Sequence, residues 1–233
     1  MGHLSYSLKR TLLRSRALVP GLRARHRREA MVGPLGHWKE LGAYQLSALR
    51  SRGLLPAHHL LDIGCGPLQG GIEFIRYLQP SRYVGVDLNP RKLAEGYAQV
   101  AELQLAGRNP RLVVADDFGR SALNGQRFDF VWASQILYYF DETRLLSLLA
   151  LVADHLAPGG KLLGDIVGDP EPEFRTPRHL LWISEVQAHS PEQLHTLAQR
   201  FGLAARSLGP IRQFGYPSQL NLRSNLLIEF TRP

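Results

Sequence analysis

The twelve residues from Leu60 to Gly71 constrain the fold more than any other stretch. His59-Leu60-Leu61-Asp62-Ile63 is an apolar run of the length of a buried strand. It breaks at once into Gly64-Cys65-Gly66-Pro67, after which Ile72, Phe74, Ile75 and Leu78 recur at helical spacing. The order is therefore strand, glycine turn, helix. Glycine lets the backbone adopt positive φ and lets a ligand approach without meeting a Cβ, and the first turn of a helix carries unpaired N–H groups. In open α/β sheets, the crevice at the carboxyl ends of the strands takes nucleotide-like ligands. The dinucleotide pattern would need a third glycine at position 69, where Gln69 stands.

The rest of the chain repeats the strand-then-helix rhythm. Arg82-Tyr83-Val84-Gly85-Val86-Asp87 is a second strand ending in an acid, 25 residues after Asp62. That spacing suits a carboxylate accepting from ribose hydroxyls, through charge-assisted bonds stronger than neutral ones. Asn89-Pro90 opens a helix over residues 91–106. Leu112–Ala115 is a third strand, again followed by acids, Asp116 and Asp117. Phe128–Ala133 is a fourth, running into Ser134-Gln135-Ile136-Leu137-Tyr138-Tyr139. A helix over 141–156, a turn at Ala157-Pro158-Gly159-Gly160 and a fifth strand at Lys161–Val167 follow. Ser190-Pro191-Glu192-Gln193 starts a late helix. Ala204–Leu208 and Asn225–Phe230 read as strands six and seven. Upstream, His37–Arg50 suits a helix whose Trp38 and Tyr44 pack in the core or line a pocket.

Charge divides the chain. Of the net +8, residues 1–30 carry +7, with eight Lys/Arg before the first acid, Glu29. Residues 3–18 form a basic amphipathic helix pattern around Leu4, Leu8 and Leu12. Three readings stand for it: a helix packed on the domain, contact with an anionic membrane or acidic partner, or a targeting segment. Arg23–Arg28 reads as a solvated linker. The organisation expected is a basic arm or helix over 1–33 and one domain over 34–233, with an irregular, proline-rich insertion at about 168–186. Nucleic acid is not expected as a partner, since the basic residues lack interleaved aromatics. The single cysteine, Cys65, fits a reducing compartment and a cytoplasmic location, with organelle targeting through the arm as the alternative. No Cys/His cluster has metal-ligand spacing, so no metal is expected.

Taken together, Asp62-x-Gly64-x-Gly66, Val84–Asn89 and Ala157-Pro158-Gly159-Gly160 resemble, in order and interval, the motifs of class I S-adenosylmethionine (SAM) dependent methyltransferases. Leu68 replaces the usual third glycine, offset by Gly70 and Gly71. The resemblance implies an α/β fold: one doubly wound, seven-stranded sheet, mostly parallel with an antiparallel last strand, and helices on both faces. It implies SAM as cofactor, bound by Asp62, Gly64, Cys65, Gly66 and Gly70, with Asp87 and Leu88 at the ribose. Asp116 or Asp117 would accept from the adenine amine and Phe118 would cover the ring. Ser134 and Gln135 would reach the methionine end, while Tyr138 and Tyr139 face the acceptor and the insertion covers it. The function implied is methyl transfer to a small molecule, above all to a hydroxyl of a sugar or secondary metabolite. A hydroxyl acceptor needs a base near neutral pH, for which His189, His179 and His37 are candidates. The motif that base-modifying amino methyltransferases carry after strand four is missing. Transfer to nitrogen or carbon, a non-catalytic SAM-binding partner subunit, and a nucleotide- or NAD-binding α/β protein are the alternatives.

Overall fold

The computed structural model describes residues 20–168, 187–220 and 225–232. The amphipathic pattern at 3–18 and most of the insertion, His179 included, lie outside them. The helices are α1 (Pro20–Val32), α2 (Trp38–Ser51), α3 (Gly71–Tyr77), α4 (Pro90–Glu102), α5 (Arg120–Leu123), α6 (Glu142–His155) and α7 (Pro191–Gln199). The strands are β1 (Leu60–Ile63), β2 (Tyr83–Asp87), β3 (Arg111–Val114), β4 (Phe128–Ala133), β5 (Leu156–Val167), β6 (Ala204–Pro210) and β7 (Asn225–Thr231). They form one seven-stranded sheet in the order β3-β2-β1-β4-β5-β7-β6. Only β7 runs antiparallel, slotted between β5 and β6.

Alternation along the strands builds the two sides. Leu61, Ile63, Val131, Leu162 and Ile228 pack under α6 and α7. Leu60, Tyr83, Trp132, Leu163 and Leu227 pack under α2, α3 and α4. Both faces are thus covered, as a parallel sheet requires. Caps fix the helix starts: Asn89 accepts from Arg91 N, Asp141 from Arg144 N and Ser190 from Gln193 N. Among the described residues no helix is long and apolar enough to cross a membrane.

Two details differ from the sequence reading. Ala157–Gly160 is not a turn ahead of β5 but a bulge within it, because the register jumps between Phe128 and Phe130. Arg23–Arg28 is not a solvated linker but part of α1, which docks on α4. The buried Arg28 makes a two-pronged bond to Glu102, at 2.7 and 2.8 Å, and its Nε lies 3.4 Å from Glu95. Arg27 also pairs with Glu95. Two charges of the arm are therefore neutralised by acids about seventy residues away.

Candidate active site

The turn after β1 is bound to β2 by its own backbone. Gly64 N and Cys65 N both donate to Val86 O, at 2.7 and 3.1 Å, and Gly66 N donates to Asp87 Oδ2 at 3.0 Å. Gly64 and Gly66 have φ of +73° and +54°, the left-handed region that favours glycine. A Cβ on Gly64 would meet Ile136, and one on Gly66 would meet Val32 at the end of α1. Leu68, in the position of the missing glycine, also has positive φ (68°) and is completely buried. Gly71 and Gly96 make room for it, since a Cβ on either would lie 2.7–3.0 Å from the Leu68 side chain. Burial of a whole leucine, about 1.5–3 kcal/mol, offsets a left-handed strain of about 1–2 kcal/mol.

Asp87 ends β2 at the rim of this turn. Its second oxygen accepts from Asn89 N at 2.8 Å, so backbone N–H groups hold the carboxylate on both sides while each oxygen keeps a lone pair. Leu88 beside it is 66% exposed. Asp62 lies deeper. Tyr83 donates to it at 2.7 Å, and burial, helped by the Asp87 charge, pushes its carboxyl up to about 7 against the pull of that bond. The Cys65 side chain faces the sheet beside Gly85, and burial pushes its thiol up, as do Asp62 and Asp87. Gly70 lies against Gln45, which accepts from Trp132 Nε1 and so joins α2 to β4.

Past β3, the two acids separate. Asp117 accepts from Ser121 N and Gly119 N and caps α5; the Ser121 bond holds it below the usual carboxylate range. The Asp116 carbonyl accepts from Arg144, and its residue is exposed. The Phe118 ring is buried, with the Arg144 guanidinium 4.8 Å from its centre and Phe140 beside it.

On the other side of β1, the ends of β4, β5 and β7 gather polar groups. Asp165 is completely buried on β5, yet it went unremarked in the sequence. The signal is there: an acid in Leu162-Leu163-Gly164-Asp165-Ile166-Val167, a strand buried on both faces, where unpaired charge is rarely tolerated. Asp165 accepts from Gln135 N at 2.7 Å, from Gln135 Nε2, and from Asn225 Nδ2 at 3.2 Å. Burial pushes its carboxyl up to about 6 although these donors pull it down. Gln135 has φ of +58°, and its Oε1 accepts from Tyr138 Oη at 3.1 Å. Ser134, half-buried, precedes it. Tyr138 and the half-buried Tyr139 meet edge to face at 4.5 Å. Tyr44, from α2, stands edge-on to Tyr216 at 5.1 Å. Burial, with the Asp165 charge, pushes the hydroxyls of Tyr44, Tyr138 and Tyr216 above their usual range, so all three are donors at neutral pH. The Tyr44 hydroxyl is buried without a hydrogen-bond partner among the described residues.

His189 joins this edge. Its N–H donates to Val167 O, and Gln187 N donates to Tyr138 O. The buried ring places Nε2 3.0 Å from Phe140 O. A carbonyl only accepts, so Nε2 carries the proton and Nδ1 presents a lone pair. Nδ1 is buried and has no hydrogen-bond partner among the described residues. His37, by contrast, pairs with Glu40 on the surface of α2.

Residues 61–162, which run from β1 into β5, match a family model described as "Methyltransferase domain". A probable methyltransferase of Aspergillus luteorubrus is 26% identical over 108 residues, 45% of this chain and 38% of that protein. The match thus spans less than half the length of that curated relative. Among solved structures, magnesium protoporphyrin IX methyltransferase from Synechocystis PCC 6803, with bound SAM, superposes with a TM-score of 0.60 at 15% identity over the whole of both chains. A glycopeptide N-methyltransferase complexed with SAM does so with a TM-score of 0.61 at 20% identity, covering 82% of this chain and 94% of that one. Those structures share the fold, and the family model falls on the glycine turn and the strand-end acids themselves. Over residues 61–162 the chain is thus similar to a methyltransferase-domain family, and its fold is the one that solved SAM-bound methyltransferases share.

Proposed function

We propose that the protein methylates a small-molecule acceptor, with a hydroxyl oxygen of a sugar or secondary metabolite as the acceptor atom. The observation that carries the cofactor half is the bonding of the turn. Gly64, Cys65 and Gly66 all spend their N–H groups on β2, so none of these three is left for a pyrophosphate, while Asp87 keeps lone pairs for a diol. That suits a nucleoside without phosphates, and SAM is one. Gly64, Gly66 and Asp87 would hold its nucleoside part, with Asp116 near the base and Ser134, Gln135 and the Tyr44 hydroxyl toward the amino-acid part. When bound, SAM supplies an electrophilic methyl group on a sulfonium centre, so the chain need not supply a nucleophile.

What remains for the protein is to hold the acceptor in line, worth roughly 7–11 kcal/mol of barrier, and to take its proton. His189 Nδ1 is suited to the second task, because the Phe140 carbonyl fixes the tautomer that leaves this nitrogen basic. The names of two structural relatives, a porphyrin and a glycopeptide methyltransferase, favour a small-molecule acceptor class. Thermal melting with S-adenosylhomocysteine and with NAD tests the first half: only the former should raise the midpoint. Labelled SAM with a panel of hydroxylated acceptors tests the second. His189→Asn should then lower turnover about 10²–10⁴-fold with S-adenosylhomocysteine affinity unchanged; full activity in that variant removes His189 from the reaction.

A further inference from the structure

The sheet order places β4 on the opposite side of β1 from β2. A nucleoside held by Asp87 at the end of β2 must therefore extend its other end across the turn toward Ser134 and Gln135 at the end of β4. There the backbone does something costly: Gln135, which is not glycine, sits at φ +58°. Both halves of Gln135 are held by one group, because its backbone N–H and its side-chain amide donate to the two oxygens of Asp165. Asn225, from β7, braces Asp165 from behind. Gln135 passes the constraint on by accepting from the Tyr138 hydroxyl, and the Tyr138 carbonyl anchors Gln187, two residues before His189.

We propose that Asp165 is the positioning residue for the amino-acid end of the cofactor site: it locks Gln135 in its left-handed turn and, through Gln135, fixes Tyr138. This rests on the methyltransferase reading above. Asp165 touches no ligand in this account. It acts on the wall that does, on one side of the turn only, and the Asp87 side is held by separate bonds to Gly66 and Asn89.

The test uses two ligands that share the nucleoside but differ beyond the sulfur, S-adenosylhomocysteine and 5′-methylthioadenosine, titrated calorimetrically into the full-length protein. Asp165→Asn puts an amide NH₂ where Gln135 already donates. It should bind methylthioadenosine like wild type and S-adenosylhomocysteine about tenfold or more weakly. Adding Gln135→Glu reverses the polarity of the pair. The new carboxylate accepts from Asn at 165 and still accepts from Tyr138, while Asn225 can turn its Oδ1, which has no partner among the described residues, toward the new NH₂. The double variant should recover most of the lost affinity. Should Asp165→Asn not fold, Gln135→Gly keeps the left-handed turn free of strain and removes the amide that Asp165 holds and Tyr138 bonds; it should show the same split between the two ligands. Equal weakening of both ligands, unchanged binding of both, or no recovery in the double variant overturns the positioning role. A wild type that binds neither ligand overturns the methyltransferase reading instead, and the proposal with it.

Discussion

Asp62→Asn should make the protein more stable, and increasingly so as pH rises. In the folded chain the Asp62 carboxyl is pushed up to about 7, against 3.8 for a solvated aspartate, because burial penalises its charged form. Between those two values the folded state holds a proton that the unfolded state has released. Stability conferred by this group therefore falls as pH rises through the window, and the loss is complete above the folded value. About three units at 1.36 kcal/mol each is a loss of about 4 kcal/mol. Asparagine cannot ionise, and its Oδ1 still accepts the Tyr83 hydroxyl that holds Asp62 at 2.7 Å. Urea unfolding of both proteins, followed by tryptophan emission from pH 4 to 8, isolates the effect, because every other titrating group cancels in the difference. The stability advantage of Asp62→Asn should grow by about 4 kcal/mol across that range. A difference that stays constant with pH would refute the reasoning and show Asp62 charged at no cost in the folded protein.

Three further outcomes are expected. Asp87→Ala frees Gly66 N and Asn89 N and removes the charge facing the diol, and should weaken S-adenosylhomocysteine binding by about one to two decades in calorimetry; undiminished affinity would misplace the ribose. Gly70→Ala puts a Cβ 2.2 Å from Gln45 Oε1, the acceptor of Trp132, and should cost about 1–3 kcal/mol with a changed tryptophan emission, whereas a wild-type melting curve would show that α2 does not pack there. Arg28→Ala removes the two-pronged bond to Glu102 and leaves Glu95 with Arg27 alone, and limited proteolysis should then cut within α1 faster than in wild type; an unchanged rate would mean that the helix is held by other contacts.

Local chemistry made much of the fold legible. The run from His59 to Gly71 could hardly be other than strand, turn and helix, and β4 falls on Phe128–Ala133 as its apolar pattern dictates. Asn89-Pro90 and Ser190-Pro191 start their helices where capping chemistry puts them. These features rest on neighbours a few residues apart, so a single strand of text contains both the cause and the effect. The seven-stranded sheet with β7 antiparallel is what the resemblance to the methyltransferase family implies, and not a consequence of local chemistry.

Other features depend on residues that only folding brings together. Arg23–Arg28 reads as solvated from the sequence, yet Arg27 and Arg28 meet Glu95 and Glu102 on α4, far along the chain. Leu68 looked like a defect in a glycine motif until Gly96, twenty-eight residues on, was found to open the space it fills. His189, His179 and His37 are the candidate bases in the sequence; His37 meets Glu40, while His189 meets a carbonyl that settles its tautomer. Asp165 carries a visible oddity, a charge in a doubly buried strand, but its partners are Gln135, from the turn after β4, and Asn225, from β7. Sequence determines which segments become strands and helices because their energetics are short-range. Which buried charge is answered, and by what, is decided by tertiary contact, because desolvation makes each such group depend on partners that the chain order does not place beside it.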